Sequence, residues 1–111
     1  MALGELEQVV LFAIVRLPEP SHGAVIIQEI EGRTGRGVSA GALYTVLDRL
    51  ESKGYVRSWI GDSTPARGGR RRRLYEMLPE GARALQNWYA GIRELASGVR
   101  PRLERLAEEA R

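Results

Sequence analysis

The chain opens with apolar residues at helical spacing. Leu3, Leu6, Val10, Ala13 and Leu17 recur every three or four positions, and Val9, Leu11, Phe12 and Ile14 widen the stripe. This predicts a first helix over Leu3–Leu17, so apolar that it must be buried on more than one side. Pro18-Glu19-Pro20 stops it, and Ser21 is a candidate cap for a second helix over His22–Arg33 with Ile26, Ile27 and Ile30 facing inward. Gly32, Gly35 and Gly37 then turn the chain. Ser39 caps a third helix, Ala40–Lys53, in which Leu43, Val46, Leu47 and Leu50 fall at i, i+3, i+4 and i+7. Its opposite face carries Gly41, Tyr44, Thr45 and Asp48, with Arg49 and Ser52 at the margins, and Gly54 supplies the C-cap.

Beyond Gly54 the period changes to two. Tyr55–Ile60 alternates as a strand, 61–69 is a loop of Gly, Asp, Ser, Thr and Pro, and Arg70–Leu78 is the return strand. Tyr75 and Met77 share a face with Arg71 and Arg73, and Tyr75 anchors that face, so Arg73 is expected to be partly buried. A last helix starts at Pro79. Within it Leu85, Ile92, Val99 and Leu106 are spaced by sevens, with Trp88, Leu95 and Leu103 between them. That is a coiled-coil-like seam, longer than a three-helix core can cover, so the excess implies a second chain. Gly98 and Pro101 predict a kink near 97–101.

Three helices followed by a hairpin is the winged helix-turn-helix arrangement. The expected fold class is mainly α with a small β-hairpin: a winged helix-turn-helix domain over 1–78 and a C-terminal dimerisation helix over 79–111.

Composition removes several function classes. A chain of 111 residues suits one compact domain with a small core. Without cysteine there is no disulfide, thiolate catalysis or cysteine-based zinc site. The longest apolar run, Val9 to Val15, is too short to span a bilayer, and Glu5 and Glu7 stand where a signal peptide would be basic. A cytoplasmic protein with no membrane partner is expected. His22, the only histidine, has no second histidine or cysteine to share a metal, and no catalytic spacing is present. An enzyme is disfavoured and no cofactor is expected.

Charge sharpens the picture. Residues 1–31 hold five acidic residues against Arg16, residues 32–75 hold ten bases against three acids, and residues 76–111 balance six against six. A net +7 in the middle, set between −4 and zero, is the electrostatic footprint of a polyanion-binding face. Gly68-Gly69-Arg70-Arg71-Arg72-Arg73 concentrates it.

These residues resemble the PadR family of bacterial transcriptional regulators, in particular its short members. The resemblance runs from Leu3 to about Leu85. It rests on Leu3-Gly-Glu-Leu-Glu-Gln8, Ser39-Ala-Gly-Ala-Leu-Tyr44, Leu47-Asp-Arg-Leu-Glu51, Gly54-Tyr-Val-Arg-Ser58 and the wing Gly68-Gly-Arg-Arg-Arg-Arg-Leu-Tyr75, in that order and spacing. Leu78 departs from the usual threonine before the last helix.

The resemblance implies double-stranded DNA as partner. Ser39, Gly41, Tyr44, Thr45 and Arg49 would stand on the recognition helix, and Arg67, Arg70, Arg71 and Arg72 on the wing. It also implies a homodimer, with Leu6, Val10, Leu85, Trp88, Ile92, Leu95, Val99 and Leu103 at the interface, and most often a repressor on a palindromic operator. Two other readings compete. One is a sensor of planar aromatic compounds, with Trp88, Tyr89 and Ile92 in the dimer cleft, although aromatics at heptad spacing are more often plain core. The other is a winged helix used only for protein contacts, against which the basic middle segment argues.

Overall fold

The computed structural model describes residues 3–62 and 71–109. Helices α1 (Glu5–Arg16), α2 (Gly23–Thr34) and α3 (Ala40–Ser52) precede a small sheet of β1 (Ser21–His22), β2 (Val56–Ile60) and β3 (Arg73–Met77). Helices α4 (Pro79–Ala96) and α5 (Arg100–Glu109) follow. Boundaries differ from the expected ones by one or two residues at most helix ends, the usual fraying.

The stripe of α3 drives the packing. Leu43, Val46, Leu47 and Leu50 are buried against Val10, Leu11 and Ile14 of α1 and Ile26 and Ile30 of α2. Tyr75 of β3 closes the core from the sheet side at 1% exposure. Burial pushes its hydroxyl pKa up to about 12, with Tyr44 adding to the shift. Ser39 caps α3 as expected, its Oγ accepting from the Ala42 amide at 3.1 Å.

A sheltered ion pair ties the first element to the third. The Gly4 amide donates to Glu7 Oε1 at 2.8 Å, closing the first turn of α1. Lys53, just past α3, reaches Glu7 Oε2 at 2.6 Å, and both side chains are largely buried. Burial alone would raise the Glu7 pKa. The hydrogen bonds from Lys53 and the Gly4 amide, with the charges of Lys53 and Arg49, outweigh it and hold the carboxyl below its ordinary value. The Arg36–Glu5 pair and the Arg16–Glu29–Arg33 cluster are surface contacts, each worth no more than about 1 kcal/mol.

The sheet corrects the expected two-stranded hairpin. Its order is β1-β3-β2, all antiparallel, with Ser21 opposite Tyr75 and His22 opposite Leu74. Ser21 therefore does not cap α2. It is buried in the added strand, its hydroxyl without a hydrogen-bond partner among the described residues, and His22 is the N-cap. The Glu19 carboxylate accepts from the Met77 amide at 3.1 Å and secures the incoming turn to β3. The return strand begins at Arg73, not Arg70, and Arg70 lies outside the described residues. Arg73 is exposed, not partly buried: its partner across the sheet is Ile60, itself 47% exposed, where no core lies beneath.

Helix α4 starts from Leu78, whose apolar side chain cannot cap it, and the Leu78 amide donates to Tyr55 O at 2.9 Å. Phe12 of α1 meets Trp88 and Tyr89 of α4 edge-on, at 6.1 and 5.8 Å between ring centroids. Val10 and Leu85, expected at a dimer interface, are 0% and 5% exposed inside this chain's own core, so they offer no surface to a second copy. Leu6 packs half-buried against the same cluster. The expected kink is a complete break. Ser97 ends α4, Gly98 takes the left-handed conformation (φ 75°) that its missing Cβ permits, and Pro101 sits in the first turn of α5.

Beyond Tyr89 the helical arm leaves the core. None of the described residues of α5 is buried. The radius of gyration is 16.8 Å, against about 13 Å for a compact chain of this length. Ile92, Leu95, Val99, Leu103 and Leu106 are all exposed along the arm, Leu95 at 78%.

The Glu7–Lys53 pair gives a stability prediction. Glu7→Gln should cost about 1.5–3 kcal/mol in chemical denaturation, as the charged hydrogen bond between Glu7 and Lys53 is lost. The folded carboxyl titrates below the ordinary glutamate range, so its contribution is present above that range and lost as pH falls through the folded value. The variant should accordingly show a flatter loss of stability under acid than the parent.

Candidate nucleic-acid interface

Burial of the α3 stripe decides what the helix shows outside. At 100° per residue, Gly41, Thr45 and Asp48 run along the centre of the opposite face, with Ala42 and Arg49 on one flank and Tyr44 on the other. All six are exposed. A Cβ built at Gly41 would meet nothing within 4 Å, so this end of the helix offers bare backbone to an approaching surface. Thr45 Oγ1 donates to the Gly41 carbonyl at 2.9 Å, which ties its hydroxyl back to the helix while the residue itself stays exposed.

Tyr44 is set by its neighbours. Its ring leans over the first residue of α2: a Cβ at Gly23 would fall 2.9 Å from Tyr44 Cζ, closer than packed atoms approach. It also sits 6.5 Å from the Tyr75 ring, tilted by 39°. Tyr44 remains 41% exposed, half buttress and half free surface.

The base of the wing is wired to this helix. Arg72 Nη1 lies 2.8 Å from His22 Nε2. A guanidinium can only donate, so His22 accepts, in the tautomer carrying its proton on Nδ1. Arg73 Nη1 donates to Ser58 Oγ at 3.0 Å. The Ser58 hydroxyl in turn donates to Glu51 Oε1 at 2.8 Å, and its amide to Glu51 Oε2 at 3.2 Å. The end of α3, β2 and β3 are thus joined through one serine. Arg57 pairs with Glu76, its partner across the sheet, and lies 4.9 Å over the Trp59 ring. Arg71 is exposed beside them. Arg67, Arg70 and the glycine pair 68–69 lie outside the described residues.

The structure therefore brings Ser39, Gly41, Tyr44, Thr45 and Arg49 onto one helix. Arg72 meets that surface through His22, which adjoins the glycine under Tyr44. His22, Glu51 and Ser58 escaped the sequence reading as site residues. The pairing of Glu51 with Ser58 follows from strand placement, for which no local motif exists, and His22 is recruited by a strand of two residues. Among the proposed ligand residues, Trp88 is half-buried on Phe12 and borders an open groove of about 430 Å³ with Leu3, Tyr55 and Arg83. Tyr89 and Ile92 are exposed. Among the described residues no helix is long and apolar enough to cross a membrane, and no cluster could hold a metal ion.

Residues 10–87 match the transcriptional regulator PadR-like family. The chain belongs to that family. It is 40% identical over 78 residues to transcriptional regulator Rv3488 of Mycobacterium tuberculosis, an alignment covering 70% of this chain and 68% of the relative. A PadR family transcriptional regulator from Eggerthella lenta is 29% identical, with a TM-score of 0.68 over 90% of this chain and 87% of that one. One from Clostridium difficile R20291 reaches a TM-score of 0.75 over 90% of this chain and 99% of that one; at 22% identity it speaks for the fold alone. PadR membership makes the protein a non-enzymatic, DNA-binding regulator of transcription.

The contact between Gly23 and Tyr44 can be tested directly. Gly23→Ala should shift the exposed tip of Tyr44 rather than disrupt the core. Stability should change by about 1 kcal/mol or less, because the atoms in the way are the outer end of the Tyr44 side chain and alanine's helix propensity offsets part of the cost. DNA affinity, measured by fluorescence anisotropy, should fall several-fold.

Proposed function

We propose that this PadR-like regulator is a homodimeric repressor that acts in the cytoplasm and binds a palindromic operator. The 39–53 recognition helix would enter the major groove while the 61–75 wing grips the flanking backbone. One observation carries the DNA-binding part: the exposed face of α3 and the cations Arg71 and Arg72 lie on neighbouring elements that Ser58, Glu51 and His22 join together. In this reading residues 1–78 bind DNA and residues 79–111 dimerise.

The apolar arm supports the dimer. Leu95 and Leu103 are 78% and 61% exposed, and a continuous strip of such side chains on a monomer calls for a partner. A second copy supplies the matching surface by symmetry and sets two recognition helices about 34 Å apart, one turn of the duplex. A dimer seated on an operator excludes other proteins from the same DNA, which is the simplest physics of repression.

Two alternatives are weaker. An aromatic effector at Trp88, Tyr89 and Ile92 competes with the edge contacts that Phe12 already makes with Trp88 and Tyr89. A module for protein contacts alone leaves the +7 middle segment without a purpose.

Two outcomes are expected. Replacing Arg71 and Arg72 by alanine should weaken binding to all sequences alike and flatten the log–log salt slope by about one to two; a slope unchanged from the parent would remove the wing assignment. Leu95→Asp with Leu103→Asp should give a folded monomer in sedimentation equilibrium, with operator affinity down at least a hundredfold. A double variant that stays dimeric would remove the arm from the interface.

A further inference from the structure

The outward face of α3 is chemically unusual for a surface that must tell base pairs apart. Reading guanine or adenine by paired hydrogen bonds needs a guanidinium, an ammonium or a side-chain amide. The first two turns of α3 carry none: Ala40, Gly41, Ala42, Leu43, Tyr44 and Thr45. The hydroxyls near this end are single groups that form no such pair, and each already has a partner within the helix or points aside. Ser39 Oγ accepts from the Ala42 amide. Thr45 Oγ1 donates to Gly41 O. Tyr44 directs its hydroxyl over Gly23, on the flank facing α2. What remains is bare backbone at Gly41 in the centre of the face, beside the methyls of exposed Thr45 there and of exposed Ala42 on the flank. Charged hydrogen-bonding side chains come only with Asp48 and Arg49, one turn further along, and Asp48 repels phosphate.

A surface of methyls complements one feature of the major groove, the C5 methyl of thymine. Gly41 permits the approach, since no Cβ holds the helix off. We propose that this regulator selects its operator through thymine methyl groups packed against Thr45 and Ala42, and not through hydrogen bonds from the start of α3. Thr45 is thereby a specificity-determining residue through its methyl, while its hydroxyl is tied back to the helix. This inference rests on α3 being the recognition helix.

The experiment starts from the tightest fragment selected by the purified full chain and replaces each thymine by deoxyuridine, which removes only the methyl. At one or two positions in each half-site, affinity should fall about fourfold, the value of one buried methyl. Thr45→Ser keeps the hydroxyl and deletes the methyl. It should lose a similar factor on the thymine operator and become insensitive to uracil at one of those positions. Thr45→Val keeps a methyl and should remain uracil-sensitive there. Equal affinity for thymine and fully uracil-substituted operators overturns the proposal, as does a Thr45→Ser protein that retains the parent's sensitivity at every position. A parent that binds no unmodified fragment in a salt-dependent way would instead bring down the recognition-helix reading, and this inference with it; that result is visible before any uracil is introduced.

Discussion

The orientation of α3 about its own axis is the constraint on which the candidate DNA-facing side depends. Each buried residue of the stripe contributes about 1.5–3 kcal/mol on leaving water. An exposed ion pair contributes at most about 1 kcal/mol. No rearrangement of surface charges could therefore rotate the helix by a third of a turn, because Leu43 and Leu47 would be driven into solvent. Gly41, Thr45 and Asp48 point outward because Leu43, Val46, Leu47 and Leu50 must point inward. The position of this candidate reading surface is a by-product of core packing, and polar contacts only trim it.

That division of labour recurs in the wing. The arginine run looks uniform in sequence, yet its described members have different duties. Arg73 is held by Ser58, and Arg72 by His22. Such exposed contacts add little stability. They cost a long side chain its rotamer freedom before any ligand arrives, so less ordering is left for binding to impose. Arg71 is exposed. A bundle of cations that would otherwise repel one another is spread in this way over neighbouring elements.

Much of this was legible in the sequence, for a physical reason in each case. Helices α1 to α3 declare themselves because each pays for its burial with a periodic apolar face. The cap at Ser39 and the start at Pro79 are local chemistry, readable from one or two residues. What escaped reading was non-local. Ser21 looks like a helix cap because serine often is one, and only the arrival of Tyr75 from the other end of the domain converts it into strand. The heptad spacing of Leu85 with Ile92 is real, but spacing alone does not say which chain covers a position. Leu85 is covered by its own core, and Ile92 is exposed. Gly98 and Pro101 were visible as an interruption. That they make a break and not a bend depends on Gly98 adopting a left-handed backbone, which a sequence permits without requiring. At the candidate interface, exposure of Tyr44 and Thr45 followed from the helical period, whereas the direction of the Thr45 hydroxyl and the part played by His22 did not.

Helix α1 connects the two ends of the molecule. One face, through Val10, Leu11 and Ile14, belongs to the core that fixes α3. Its first turn is joined to the end of α3 by Glu7 and Lys53. Its Phe12 is clasped by Trp88 and Tyr89 of α4. These contacts are all made within a single chain, so the angle between the start of α4 and the candidate reading face of α3 is set before any partner arrives. The arm beyond the clasp has no such support, and Gly98 lets its last segment take a separate direction. Whatever covers the exposed strip of α4 and α5 can therefore act on the direction of the arm without altering how α3 is turned. In the proposed dimer, spacing and base selection would be separable properties, the first carried by the arm and the second by the core.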